Sequence, residues 1–312
     1  MYNEEVQSNL RKLQLAELEI IRVFIDICER ENLRYYMIGG TMLGAVRHRG
    51  FIPWDDDVDI GMPREDYDRL FDLLSGGEGL PEHFEYLNFK IKEDYNRYFS
   101  RIVDNRVRVY NASGGREIVE SAWIDIFPLD GSPNIPFFRY LHYTSLMWTR
   151  LRYHLSCFDY LVNLSRPGRP LYQRLIIAAA KRVNLGRRAD TKEILWEIDK
   201  KLHRFGWDGS STGANVFGAY AYREIVPKNV WGGDHARRYQ FEDLMLPGPR
   251  LYDEFLSRFY GDYMKPPAEG NRDKHNIRKI EFASSEESAD NQTLAGYGDN
   301  NPGNWETETD DT

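Results

Sequence analysis

Leu10, Leu13, Glu17, Ile20, Ile21, Phe24, Ile27 and Cys28 keep close to the 3.6-residue spacing of one helical face. With Asn3 ahead of Glu4 and Glu5 as a start signal and Asn32 as a stop, the pattern predicts one long amphipathic helix over 4–31. Residues 33–38 are apolar and aromatic and run into Gly39-Gly40, which reads as a buried strand. A short helix over 41–47 follows, its first turn starting at the glycines. Residues 57–62 alternate polar and apolar, a second strand, which Pro63 ends. Tyr67, Leu70, Phe71 and Leu74 then mark a helix over 65–74.

Beyond the loop at Gly76-Gly77 and Gly79, stretches 84–92, 97–104 and 106–110 read as antiparallel strands turning at Asp104-Asn105. Trp123-Ile-Asp-Ile-Phe-Pro-Leu-Asp130 is the next strand, closed by Pro128 and Gly131. From 133 to 205 the chain turns basic, aromatic and mostly helical, interrupted by Arg166-Pro-Gly-Arg-Pro170. Mixed strand and helix return over 216–265 and end in the periodic run Leu251, Phe255, Phe259, Tyr260. After Phe282 no Lys or Arg occurs, so 284–312 reads as a disordered acidic tail. The fold class is therefore α+β: a mixed-sheet core over 1–132 and 206–283, with flanking helices and an inserted basic helical region at 133–205.

Composition narrows the class. A chain of 312 residues with 41% hydrophobic and 29% charged residues has the profile of a soluble globular protein with a sizeable core. Aromatic residues reach 14%, which suits a protein handling sugars or nucleobases, or simply a bulky core. Two cysteines in separate apolar contexts exclude a disulfide framework and a cysteine-type zinc site. Glu4 and Glu5 stand where a signal peptide needs positive charge, and the run at 175–180 is too short to span a bilayer, so the expected location is cytoplasmic. Net charge is −8, yet 133–205 carries 14 Lys and Arg against 5 Asp and Glu. That asymmetry points to a local anionic partner rather than to general nucleic-acid binding.

The densest chemistry lies at Asp55, Asp56, Asp57 and Asp59, four carboxylates in five residues. Crowded carboxylates raise one another's pKa unless solvent or a cation offsets them. On a strand, Asp57 and Asp59 share a face while Val58 and Ile60 point inward. Paired carboxylates suit Mg²⁺ (or Mn²⁺), which takes oxygen ligands and bridges to phosphates; a solvated acidic turn after Pro53-Trp54 is the plainer reading. Gly39, Gly40 and Thr41, about 17 residues upstream, can bring backbone N–H groups close to a phosphate, although a Gly-Gly turn alone is weak. Arg47, His48 and Arg49 either contact phosphate or complement a helix C-terminus. Asp125, flanked by Ile124 and Ile126, is a third acid of a catalytic set or one half of a salt bridge.

Weaker signals accompany these. Tyr98, Arg101 and Asp104 make a plausible phosphate-facing strand, and Asp130 reads as part of an Asp-Gly turn. Tyr260-Gly-Asp-Tyr-Met-Lys-Pro-Pro267, followed by Arg272 and His275, carries no chemistry by itself. The basic segment interleaves Phe137, Phe138, Tyr140, Tyr143, Trp148, Tyr153, Phe158 and Tyr160 with Arg139, Arg150, Arg152 and Arg174. That suits an interface near anionic lipid, a groove for a pyrophosphate-bearing glycan, or helices packed on the core with solvated arginines.

Taken together, Gly39-Gly-Thr-Met-Leu-Gly-Ala-Val-Arg-His-Arg-Gly-Phe-Ile-Pro-Trp-Asp-Asp-Asp-Val-Asp-Ile-Gly61, the strand 123–130 and the stretch 260–267 resemble the LicD family. The resemblance covers 10–130 and roughly 215–280, leaving 133–205 and the tail unmatched. It implies a nucleotidyltransferase-like fold and transfer of a phospho-alcohol, typically phosphocholine, from a CDP-activated donor to a hydroxyl of a surface glycan or glycolipid. It further implies Mg²⁺ on Asp57 and Asp59, with Asp125 completing the acidic set and helping to activate the acceptor hydroxyl. In this scheme Gly39, Gly40 and Thr41 cradle the donor pyrophosphate, and Arg47, His48 or Arg101 neutralises the departing CMP. Nucleotidyl transfer with pyrophosphate release, and a silent nucleotide- or glycan-binding module, are the competing functions.

Overall fold

A computed structural model of the protein describes residues 4–113, 116–157, 190–268 and 277–283. The expected tail over 284–312, the Pro-rich interruption at 166–170 and the positions Arg272 and His275 lie outside them. The first helix, α1 (Glu4–Arg30), forms as its periodicity predicts and buries Leu13, Ile20, Ile21, Phe24, Ile27 and Cys28. Glu17 is buried in the same stripe. Strand β1 (Tyr36–Met37) leads to α2 (Gly39–His48), then β2 (Asp59–Pro63) and α3 (Arg64–Leu74).

The remaining strands of the main sheet are β3 (Phe84–Leu87), β4 (Ser100–Ser113), β5 (Arg116–Gly131), β6 (Thr212–Ala214), β7 (Ile225–Pro227) and β10 (Ile277–Phe282). Its path runs β1-β2-β5-β4-β10, with β3 on β4 and β6 joining β5 to β7. The β2–β5 pair is parallel and the other pairs are antiparallel, so the sheet is mixed and the α+β class holds. A separate hairpin, β8 (Arg237–Phe241) and β9 (Leu244–Gly248), stands on its own. Alternate residues feed two cores: Ile102, Ile124 and Ile126 into one, Val103 and Trp123 into the other.

The basic region enters the second core. Helices α4 (Pro136–Ser156) and α5 (Thr191–Leu202) bury Tyr143, Leu146, Tyr153, Ile194, Leu195, Ile198 and Leu202 beside Val103 and Trp123. Two short helical elements close the fold, α6 (Lys228–Trp231) and α7 (Tyr252–Tyr260), the latter burying Phe255, Leu256 and Phe259 as its spacing implies.

Several expectations need correction. Asp104-Asn105 is not a hairpin turn, because β4 passes through it with a register shift between Asp104 and Arg108. The buried Asp104 carboxylate accepts from the Arg106 backbone N–H (3.0 Å) and guanidinium (2.7 Å), satisfying a bulge where a turn was expected. β3 stops at Leu87 because the Asn88 side chain accepts from the Lys90 N–H (2.9 Å) and donates to the Ser100 hydroxyl (2.8 Å). Asp130 belongs to β5, not to a turn: fully buried, it accepts from Arg64 Nε at 2.7 Å. Tyr98 also serves that network, its hydroxyl accepting from Arg64 Nη2 at 2.5 Å. Tyr98 and Asp104 are thus both buried in internal contacts.

Candidate active site

Strand register builds the site's floor. Asp59 opens β2 directly opposite Asp125 on β5, and Arg101 on β4 is the next residue in the same row. Partners in register share a face, so two carboxylates and a guanidinium stand side by side across three strands. Arg101 Nε donates to Asp125 Oδ1 at 2.5 Å and its Nη1 to Glu120 at 2.8 Å, with the guanidinium 4.5 Å from the Trp123 ring centre. Arg101 therefore orients Asp125 rather than standing free for a substrate phosphate. Both readings of Asp125 meet here, a salt bridge within an acidic set.

The wall is the loop from Gly50 to Val58 together with the start of α2. Gly39 adopts φ +54°, a conformation glycine takes at little cost, and the Asp59 carboxylate lies against it. A Cβ built on Gly39 would come within 2.5 Å of Asp59 Oδ2, and one on Gly40 within 2.5 Å of Asp55 Oδ2. The glycine pair thus admits two carboxylates to the N-terminus of a ten-residue helix, where the dipole favours negative charge. Thr41, buried, accepts the Asp59 backbone N–H at 2.7 Å, which anchors the first residue of the strand.

The strand proper opens at Asp59, yet Val58 and Ile60 are both fully buried while Asp57 and Asp59 are partly exposed, as the two-residue alternation implies. Asp57 also joins Asp55 and Asp56: one carboxylate oxygen from each lies within 4.8 Å of the others. Burial, then Asp57, Asp125 and Asp55, push the Asp59 carboxyl well above the usual range, which ties the loop group to the strand pair.

Arg47 and His48 sit at the end of α2, against Trp54. Arg47 Nη1 donates to the Tyr263 carbonyl at 2.9 Å, fastening the 260–267 stretch to the site. Burial, and then Arg47, lower the His48 pKa and so favour the neutral ring.

Sequence reasoning missed two site residues. Tyr260 lies close enough to Asp59 and Asp55 that they add to burial and Tyr220 in raising its hydroxyl pKa. Glu17 on α1 is completely buried, and both its oxygens lack a hydrogen-bond partner. Burial, then Asp56, Asp57, Asp55 and Asp125, hold its carboxyl well above the ordinary value. The available signal was a carboxylate at an apolar position of the helical stripe. One turn earlier, Gln14 donates to the carbonyls of Asp55 (2.9 Å) and Ile52 (3.3 Å), so α1 also holds the acidic loop by its backbone.

Comparison with known proteins places this architecture. Residues 32–134 match the family model described as LicD/FKTN/FKRP, nucleotidyltransferase domain. The lipopolysaccharide cholinephosphotransferase LicD of Haemophilus influenzae is 30% identical over 274 residues, covering 86% of this chain and 97% of that protein. The ribitol 5-phosphate transferase FKRP of Homo sapiens is 46% identical over 48 residues, 15% of this chain and 10% of its own length. The chain belongs to the LicD family.

The close approach at the glycines has a measurable consequence. Gly39→Ala forces a side chain into the left-handed region against Asp59, and urea unfolding is expected to show a loss of about 1–2 kcal/mol. Gly76→Ala, with nothing within 4 Å of the added Cβ, serves as the control and stays within about 0.5 kcal/mol of the parent.

Proposed function

We propose that the protein transfers a phospho-alcohol, phosphocholine in the first instance, from a CDP-activated donor to a hydroxyl of a glycan or glycolipid. The observation carrying this reading is the convergence of Asp55, Asp56, Asp57, Asp59 and Asp125 at the glycine bend. It is supported by similarity over nearly the whole length of a lipopolysaccharide cholinephosphotransferase.

The acidic group fits a divalent cation. Three loop carboxylates offer oxygens within 4.8 Å of one another, and hard oxygen ligands are what Mg²⁺ or Mn²⁺ takes. Asp57 and Asp59 are the residues assigned to hold it, and when bound it supplies charge neutralisation to the donor diphosphate. The chain's own residues do the rest. Gly39, Gly40 and Thr41 set the bend against which the diphosphate lies. Asp125, oriented by Arg101, accepts the acceptor hydroxyl's proton as the new O–P bond forms. The bond to CMP breaks, CMP departs with the electron pair, and Arg47 neutralises its charge.

Release of CMP distinguishes this chemistry from nucleotidyl transfer, which releases pyrophosphate. With CDP-choline, a glycan acceptor and Mg²⁺, the protein is expected to liberate CMP. Asp57→Asn and Asp59→Asn are each expected to lower turnover at least about 100-fold while remaining folded. Near-parental turnover in both would remove the cation assignment, and pyrophosphate as the product would replace the reaction.

Acceptor glycans carried on lipid present themselves at a bilayer, and α4 suits that setting. Among the described residues no helix is long and apolar enough to cross a membrane. Phe137, Phe138, Tyr140, Leu141, Trp148 and Leu151 are nonetheless exposed along α4. A cavity of about 770 Å³ at its base sets Phe138 and Leu141 beside Lys201 and Arg204. Aromatic groups next to cations match the interface of an anionic bilayer. In flotation assays the protein is expected to bind vesicles containing phosphatidylglycerol and to be released by Phe137→Ser with Trp148→Ser. Equal partitioning of parent and variant would contradict the contact.

A further inference from the structure

Glu17 occupies a position in α1 whose neighbours along the stripe, Leu13, Ile20, Ile21 and Phe24, all pack into the cores. Nothing in helix formation asks for a carboxylate there, and a buried carboxyl without a donor is disfavoured. Yet Glu17 is 0% exposed, and neither of its oxygens meets a hydrogen-bond donor. The charges it senses most strongly belong to Asp56, Asp57, Asp55 and Asp125, in that order. The acidic loop is brought over it deliberately, since Gln14 holds the Ile52 and Asp55 carbonyls to the same helix.

A buried carboxylate whose lone pairs are left without a donor, on the helix that holds the acidic loop, is arranged as a ligand to a cation or to a cation's bound water. A structural hydrogen bond would have used those lone pairs, and a purely apolar role would have been served by Leu. We infer that Glu17 is a further carboxylate of the divalent-cation site, reaching it from α1 beneath the Asp55–Asp57 loop. The inference rests on the reading of Asp57 and Asp59 as cation-binding residues and adds a helix that the acidic motif does not contain.

Calorimetric titration of the full chain with Mn²⁺ tests it without recourse to turnover. The parent is expected to bind, and Asp59→Asn to bind markedly more weakly. Glu17→Gln keeps the shape and removes the charge; it is expected to fold, to melt no lower than the parent without metal, and to bind Mn²⁺ at least about 10-fold more weakly. Glu17→Asp keeps the charge but draws it back by one methylene, and a ligand role predicts that it too loses affinity. If Glu17→Gln and Glu17→Asp bind as tightly as the parent while Asp59→Asn does not, Glu17 is no part of the site and the aspartate assignment stands. If the parent itself binds no Mn²⁺, both readings fall.

Discussion

Mutual repulsion among carboxylates is the constraint around which this fold is organised. Asp55, Asp56 and Asp57 meet in one loop, Asp59 and Asp125 stand in register on adjacent strands, and Glu17 lies buried below. Such a group raises the pKa of its own members and opposes folding to the extent that they are charged. The surroundings offset part of this cost. The α2 N-terminus receives Asp59 and Asp55 through two glycines, Arg101 pairs with Asp125, and Thr41 fixes the backbone from which Asp59 projects. No comparable offset reaches Glu17. The result is a dense acidic group beside a glycine bend, the feature on which the proposed cation and donor diphosphate both depend.

The rest of the molecule holds that acidic group in place. α1 grips the loop through Gln14, and farther out Arg11 binds Glu242, which in turn accepts the Phe51 N–H at 3.2 Å. The β8–β9 hairpin is thereby tied to the same loop. On the other flank Arg47 links α2 to Tyr263, which brings Tyr260 toward the acids. The buried Arg64–Asp130 pair locks the C-terminal end of β5 to α3, just beyond the Arg101–Asp125 pair, so the part of the strand bearing Asp125 is held by two ion pairs. Ion pairs of this kind add little net stability, but removing one partner strands a buried charge, which makes them effective at enforcing a single geometry.

Much of the site was legible because its causes are local. Gly39-Gly40-Thr41 and the acid run at 55–59 mark a bend and a charge cluster whatever the tertiary fold, and their proximity is what the structure displays. The α1 periodicity was equally plain. Other features depend on contacts between residues far apart in the chain. Arg101 looked like a phosphate contact because its partner Asp125 is 24 positions away, and only strand register pairs them. Asp130 resembled a turn residue because Arg64, 66 positions earlier, is invisible to local pattern. Asp57 reads as a strand residue by alternation, and the burial of Val58 and Ile60 follows that pattern, although the strand proper opens at Asp59, whose backbone N–H Thr41 captures. Glu17 was absorbed into the helical stripe because periodicity records spacing and says nothing of what a polar group at that spacing faces.

The most direct test of the central claim is the melting temperature of the full chain across pH, with and without Mg²⁺. Asp59 and Glu17 both have folded pKa values raised above their ordinary ones, so the metal-free fold is least destabilised while they are protonated and loses stability as pH rises through the raised values. Metal-free protein is therefore expected to melt lower at about pH 8 than at about pH 5, and Mg²⁺ to raise the melting temperature far more at the higher pH, where protons no longer compete for the carboxylates. A melting temperature that Mg²⁺ leaves unchanged at both pH values would contradict the account.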